Sequence, residues 1–132
     1  IESNLQNSAI AKKNFYSLNL NNQITLIEGN ASNELNKLSA KAPFDMIFID
    51  ADKCSYCKYL DWAELNIKQW GLIVADNTLL FNTVFLDSAP TKISEKSWHS
   101  MKEFNHRLSN ERKYHSILIP TAEGMTVALK LI

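Results

Sequence analysis

The chain has 132 residues, with 14 Lys and Arg against 14 Asp and Glu and a formal net charge of zero. That size predicts one domain with a substantial core, and the balance leaves no overall field to draw it to nucleic acid or a membrane surface. The apolar runs are strand-sized, so no membrane-spanning helix is expected. Residues 1–5 read as neither a basic leader nor an apolar signal core. The two cysteines, Cys54 and Cys57, are too few for a disulfide framework. The expected location is the cytoplasm.

In chain order, Ser3 or Asn4 can cap a helix running to about Asn19, on which Ala11, Phe15 and Leu18 share a face. Residues 23–28, with β-branched Ile24, Thr25 and Ile27, read as a strand. Gly29-Asn-Ala-Ser32 opens a short helix to about Lys41, with Leu35 and Leu38 facing inward. Residues 44–50 read as the next strand. A helix follows over 54–69, where Tyr56, Tyr59, Leu60, Ala63 and Ile67 form an apolar stripe. Gly71 is expected to end that helix and to start a strand over 72–75. Alternating strands and helices predict right-handed parallel crossovers. Residues 78–93 are irregular and carry the exposed-looking pair Phe81 and Phe85. A loop of this length in a compact domain is usually functional. Ser94 caps a helix to about Asn110, with Trp98, Met101, Asn105 and Leu108 aligned. Segments 114–119 and 125–131 are joined by a connection so short that only antiparallel pairing is possible.

Two stretches concentrate chemistry. Phe44-Asp-Met-Ile-Phe-Ile-Asp-Ala-Asp-Lys53 and Gly71-Leu-Ile-Val-Ala-Asp-Asn77 are short apolar runs that end in carboxylates or amides. The lack of two-residue alternation suits strands buried on both faces of a parallel sheet. In open α/β sheets the ligand crevice lies beyond the carboxyl ends of the strands. Asp50, Asp52, Asp76 and Asn77 would converge there.

These two stretches resemble the signature strands of the divalent-metal-dependent, S-adenosylmethionine (SAM)-dependent O-methyltransferases of the catechol and caffeoyl-CoA type. Met101-Lys-Glu-Phe-Asn105 and Ile119-Pro-Thr-Ala-Glu-Gly-Met-Thr-Val127 are similar to that family as well. The resemblance implies a Rossmann-like class I methyltransferase sheet, mostly parallel with a C-terminal antiparallel hairpin. Residues 1–132 would be the C-terminal portion of a single methyltransferase domain.

Residue by residue, the resemblance implies that Asp50, Asp76 and Asn77 are metal ligands and that Lys53 is the general base, with Asp50 also catalytic. Asp50 and Asp52 would lie near SAM, Glu2 would bond its ribose, and Gly29, Asn30, Ala31 and Ser32 would read its adenine. Two carboxylates and an amide carbonyl suit a hard cation, Mg²⁺ first, with Ca²⁺ or Mn²⁺ also fitting. The implied reaction moves a methyl group to a hydroxyl of a small catechol-like molecule in a homodimeric enzyme. Some relatives act on hydroxylated tRNA nucleosides, which the neutral charge disfavours here, since phosphate contacts call for basic patches.

The departures are specific. The family's first strand and its glycine-rich cofactor loop have no counterpart, since the only glycines are 29, 71 and 124. A fragment of a longer protein is the favoured reading. Asn30 stands where many relatives have Asp, Trp70 replaces a usual Gly, and Leu80 and Phe81 stand where a Trp with Gly or Asn is common. The alternative is a non-catalytic remnant that at most binds a metal or dimerises. Taken singly, an Asp ending a strand is often only an N-cap, Asp76-Asn77 is a turn pair, and Lys53 is a solvated lysine. Cys54-Ser-Tyr-Cys57 invites a redox or zinc reading, but zinc needs two further ligands. Plain helix cysteines are expected.

Overall fold

A computed structural model describes residues 1–132. The chain divides into two compact units, Ile1–Ala40 and Lys41–Ile132.

The first unit carries two helices set by local caps. Asn4 Oδ1 accepts from the Gln6 and Asn7 amides at the start of α1 (Leu5–Ser17). Asn30 Oδ1 accepts from the Ser32 amide at 2.9 Å and starts α2 (Ala31–Leu38), which continues as a 3₁₀ turn over Ser39–Lys41. Both caps satisfy amides that a helix leaves without partners. Ala11, Phe15, Leu35 and Leu38 are half-buried, whereas Leu18 is exposed.

The strand expected over residues 23–28 does not form. Its only pairing is a single parallel bridge between Glu2 and Glu28, closed by Glu2 N to Ile27 O and Gly29 N to Glu2 O. Gln23 and Ile24 instead turn back onto the Leu20 carbonyl. β-branched residues favour a strand only where another strand satisfies their backbone, and here none runs alongside.

The second unit holds a four-stranded sheet in the order β1-β2-β4-β3, made of β1 (Phe44–Ile49), β2 (Ile67–Asp76), β3 (Tyr114–Ile119) and β4 (Met125–Lys130). β1 and β2 are parallel, and β4 lies antiparallel to both β2 and β3. The crossover from β1 to β2 is a 3₁₀ turn at Lys53–Ser55 followed by α3 (Tyr56–Asn66), and α4 (Glu95–Leu108) precedes the hairpin. Ser94 Oγ caps α4 by accepting from Ser97 N. Tyr56, Tyr59, Leu60 and Ala63 of α3, Trp98, Met101, Phe104 and Leu108 of α4, and Ile73 and Ala75 of β2 form the buried core.

Two expectations in this unit are corrected. Residues 44–49 are not buried on both faces, because Met46 and Phe48 are 53 and 52 % exposed. Met46 and Phe48 share one face of β1, which nothing in the structure covers, and only Ile49 on the opposite face is fully buried. The helix predicted over 54–69 ends at Asn66, and Ile67 already pairs with Phe44. Gly71 is therefore no helix terminator. The ladder slips between Phe44 and Met46, whose partners are Ile67 and Leu72, so residues 68–71 bulge out of register. A Cβ on Gly71 would sit 2.6 Å from Ile67 Cγ1 and 3.0 Å from Asp45 O. Close backbone approach, not helix capping, demands glycine there.

Candidate functional site

Ile49 pairs with Ala75, so Asp50 and Asp76 leave adjacent parallel strands at the same level. Asn77 then takes φ +57°, a left-handed conformation that Asn tolerates better than most residues. Its amide donates to Asp76 Oδ1 at 2.8 Å. Lys53 comes from the other strand's exit. Its Nζ donates to Asn77 Oδ1 at 2.7 Å, to Tyr56 Oη at 2.7 Å and to Asp50 Oδ1 at 3.2 Å. Three acceptors occupy all three hydrogens of an ammonium. The Lys53 side chain is 21 % exposed and that of Asp50 53 %, so the cluster opens to solvent on the carboxylate side.

Tyr56 lies beneath this cluster and is fully buried. Its hydroxyl is 2.8 Å from Asp76 O and 3.3 Å from Ile49 O, the carbonyls at the ends of β2 and β1. Burial first, then the negative charge of Asp50, hold its pKa well above the ordinary phenol value; a hydrogen bond from the Ala51 backbone opposes them, and the charges of Asp76 and Asp52 add smaller upward pushes. The sequence reading placed Tyr56 in the core stripe and missed its hydroxyl. The available signal was a tyrosine, not a phenylalanine, three residues after the lysine.

Asp52 is drawn elsewhere. It accepts from the Tyr59 hydroxyl and from Cys54 Sγ. Burial alone would raise its pKa, but hydrogen bonds from Cys54, Ser55, Tyr59 and its own backbone outweigh that and hold it below the ordinary carboxylate value. Cys57 Sγ donates to Ser100 O at 3.2 Å, and both thiols are free.

The loop after Asn77 is held from two sides. Thr78 N donates to Gly124 O and Leu79 N to Glu123 O, which joins the loop to the β3–β4 turn. Asn105 Nδ2 of α4 donates to Thr78 O at 2.7 Å, and Thr126 Oγ1 to Thr78 Oγ1 at 2.9 Å. Asn105 is a second residue whose polar role an apolar-stripe reading overlooks. Leu80, Phe81 and Asn82 follow with φ of +46°, +55° and +59°. This left-handed turn buries Leu80 and leaves Phe81 64 % exposed.

In the first unit Glu2 and Gly29 are joined through the isolated bridge. Glu2 Oε1 accepts from Asn4 N at 2.7 Å, and Asn30 caps α2. Ala31 and Ser32 form the first turn of that helix.

No three His, Cys, Asp or Glu side chains gather to hold a metal ion. The oxygens that do converge belong to a mixed set: Asp50 and Asn77 meet on one positive charge, Lys53 Nζ, and Asp76 is tied in through Asn77 N. An all-oxygen set of this kind suits a hard cation. A cavity of about 410 Å³ lies between α4 and the hairpin, lined by Leu79, Phe85, Asn105, Leu108, Tyr114 and Leu118 among others, and none of the cluster residues lines it. No helix is long and apolar enough to cross a membrane.

A family profile described as O-methyltransferase matches residues 1–131. The chain is 40% identical to a catechol O-methyltransferase of Niastella koreensis, over 98% of this chain and 60% of that protein. It is 30% identical to a probable caffeoyl-CoA O-methyltransferase of Dictyostelium discoideum, over 85% of this chain and 50% of that one. Among solved structures, the O-methyltransferase TomG of Streptomyces achromogenes, in complex with SAM, superposes with a TM-score of 0.85 at 23% identity, over 99% of this chain and 60% of TomG. An O-methyltransferase of Bacillus cereus, in complex with SAH, gives 0.83 at 23% identity, over 97% of this chain and 60% of that one. These likenesses show the methyltransferase fold. The chain spans half of the length of the Dictyostelium discoideum relative and three-fifths of that of the Niastella koreensis one.

Proposed function

The chain belongs to the O-methyltransferase family, and from that premise we propose that its protein transfers a methyl group from SAM to one hydroxyl of a small substrate with adjacent oxygens, assisted by a divalent cation. The observation that carries the reading is the convergence of Asp50 and Asn77 on a single positive charge at the carboxyl ends of β1 and β2. Names borne by relatives, catechol and caffeoyl-CoA O-methyltransferase, support a substrate of this class.

Asp50, Asp76 and Asn77 would hold the cation, Mg²⁺ by the hardness of the donors, with Ca²⁺ or Mn²⁺ fitting the same set. Such a cation lowers the pKa of a hydroxyl that it binds. When Asp50 and Asn77 turn their oxygens toward a cation, Lys53 keeps one acceptor of its three and can turn toward the substrate hydroxyl. There, as the neutral amine left once its ammonium has given a proton to solvent, it would accept the hydroxyl proton before the oxygen attacks the methyl group, with most of the acceleration coming from positioning. Asp52 in the second unit, and Glu2 and Gly29–Ser32 in the first, are proposed for the cofactor. Phe81 and Phe85, 64 and 71 % exposed, would contact substrate or a second subunit of a cytoplasmic homodimer.

Calorimetric titration with SAM, with and without Mg²⁺, on this chain and on Asp76→Ala tests the reading. Cofactor binding that needs Mg²⁺ and is lost in the variant supports it. Metal binding without cofactor binding would reduce the chain to a metal-holding module, and binding of neither would end the proposal for this chain.

A further inference from the structure

Two of the three acceptors of Lys53, Asp50 and Asn77, are the oxygens proposed to turn to a cation; the third, Tyr56, is not. We propose that Tyr56 is the positioning residue that tethers Lys53 at the rim once those two oxygens are engaged elsewhere. The inference rests on the reading of Lys53 as the group that serves the substrate hydroxyl.

The hydroxyl is built for that task. Tyr56 has no exposed surface, and its ring packs edge-on against Phe104 at 5.2 Å between centroids. Its single hydrogen is directed at a strand-end carbonyl, Asp76 O at 2.8 Å or Ile49 O at 3.3 Å. The lone pairs are left to accept from Lys53 at 2.7 Å. A phenol arranged in this way has no hydrogen to give to Lys53 and acts on it only as a fixed acceptor. Lys53 Nζ also lies 4.7 Å from the centroid of the same ring, so the ammonium is held by both the oxygen and the π face. Because the hydroxyl reaches the last carbonyls of β1 and β2, Lys53 is referenced to the two strands that deliver Asp50 and Asp76. A phenylalanine would fill the same space and pack on Phe104 equally well, so packing alone does not account for the oxygen.

The test is the exchange rate of the Lys53 ammonium protons, read by ¹⁵N NMR on this chain, with the signal assigned by its loss in Lys53→Met. In wild type the protons are expected to exchange slowly, since Nζ donates to three acceptors. In Tyr56→Phe exchange at Lys53 is expected to rise about five-fold, the factor that one typical net hydrogen bond represents. Lys130, whose Nζ donates to Glu64 O at 2.7 Å, serves as the internal reference and stays unchanged. An unchanged Lys53 signal in folded Tyr56→Phe overturns the tether. Should that variant not fold, the wild-type Tyr56 hydroxyl proton decides. A slowly exchanging resonance with nuclear Overhauser contacts to the Lys53 side chain supports the tether, and its absence overturns it. If Lys53 behaves as expected while the wild type shows no cofactor or metal binding, the functional reading fails and the tether's service to the substrate falls with it, while the Lys53–Tyr56 hydrogen bond itself stands.

Discussion

Lys53 Nζ lies 2.7 Å from Asn77 Oδ1, although 24 residues of chain separate them. One residue follows the exit of β1 and the other that of β2, so the contact exists only because the two strands run parallel and in register. Replacing Lys53 by Met keeps the aliphatic stem and removes the charge. The variant should fold, since the side chain is partly exposed. Methyl transfer to a catechol by the full-length protein should fall about a hundred-fold or more, the usual loss when a general base is removed. Single-turnover kinetics of Lys53→Met against wild type check this, and a variant with full activity would remove Lys53 from the reaction.

Gly124 closes the turn between β3 and β4 with φ +71°, and a Cβ there would meet Leu79 Cγ at 2.4 Å and Leu79 Cδ1 at 2.9 Å. Leu79 belongs to the loop that follows Asn77, so the penalty falls on the segment that borders the site. Gly124→Ala should cost about 1–3 kcal/mol through overpacking and left-handed strain. The measurement is a thermal melt, with a drop of several degrees expected. Asn77-dependent metal binding should weaken in parallel.

Trp70 occupies the bulge in β2 at φ +65° with 61 % of its surface exposed. A bulky side chain gains little there and carries left-handed strain of about 1 kcal/mol. Trp70→Asn, which tolerates that backbone, should raise stability by roughly 0.5–1 kcal/mol. Denaturant melts of the two proteins decide, and a loss of stability would show that the indole packs more than its exposure implies.

Tyr114 is buried, and its hydroxyl donates to Glu64 Oε1 at 2.7 Å. Glu64 also pairs with Arg107 Nη2 at 2.9 Å. Burial first, then the hydrogen bond to Glu64 and its negative charge, raise the phenol well above its ordinary value near 10, against a smaller pull from Arg107. The folded protein therefore keeps a proton that the unfolded chain has lost. Stability from this group is fully present below about pH 10 and declines as pH rises beyond it. Tyr114→Phe should be less stable than wild type near neutrality, because Glu64 loses a donor, and should show a flatter alkaline limb. Urea midpoints taken from pH 8 to 11 test both slopes.

What could be read in the one-dimensional chain is local or periodic. Asn4 and Ser94 cap helices with their own side chains, and the apolar spacing of Trp98, Met101 and Leu108 marks a buried helical face. The short link between β3 and β4 left antiparallel pairing as the only choice. The resemblance of the two strand motifs to O-methyltransferases was legible for the same reason, being carried by contiguous residues. Tertiary structure decided whatever depends on a partner. Residues 23–28 have strand-forming side chains but no strand beside them, and Met46 and Phe48 are apolar yet exposed because nothing covers the face of β1 that they share. Gly71 looks like a helix stop until the backbone of Asp45 is found 3.0 Å from where a Cβ would sit. Tyr56 belongs to both groups. Its ring follows the helical stripe, but its hydroxyl acquires a purpose only where the ends of β1 and β2 bring two carbonyls and Lys53 to the same point, because hydrogen bonding is directional and burial is not.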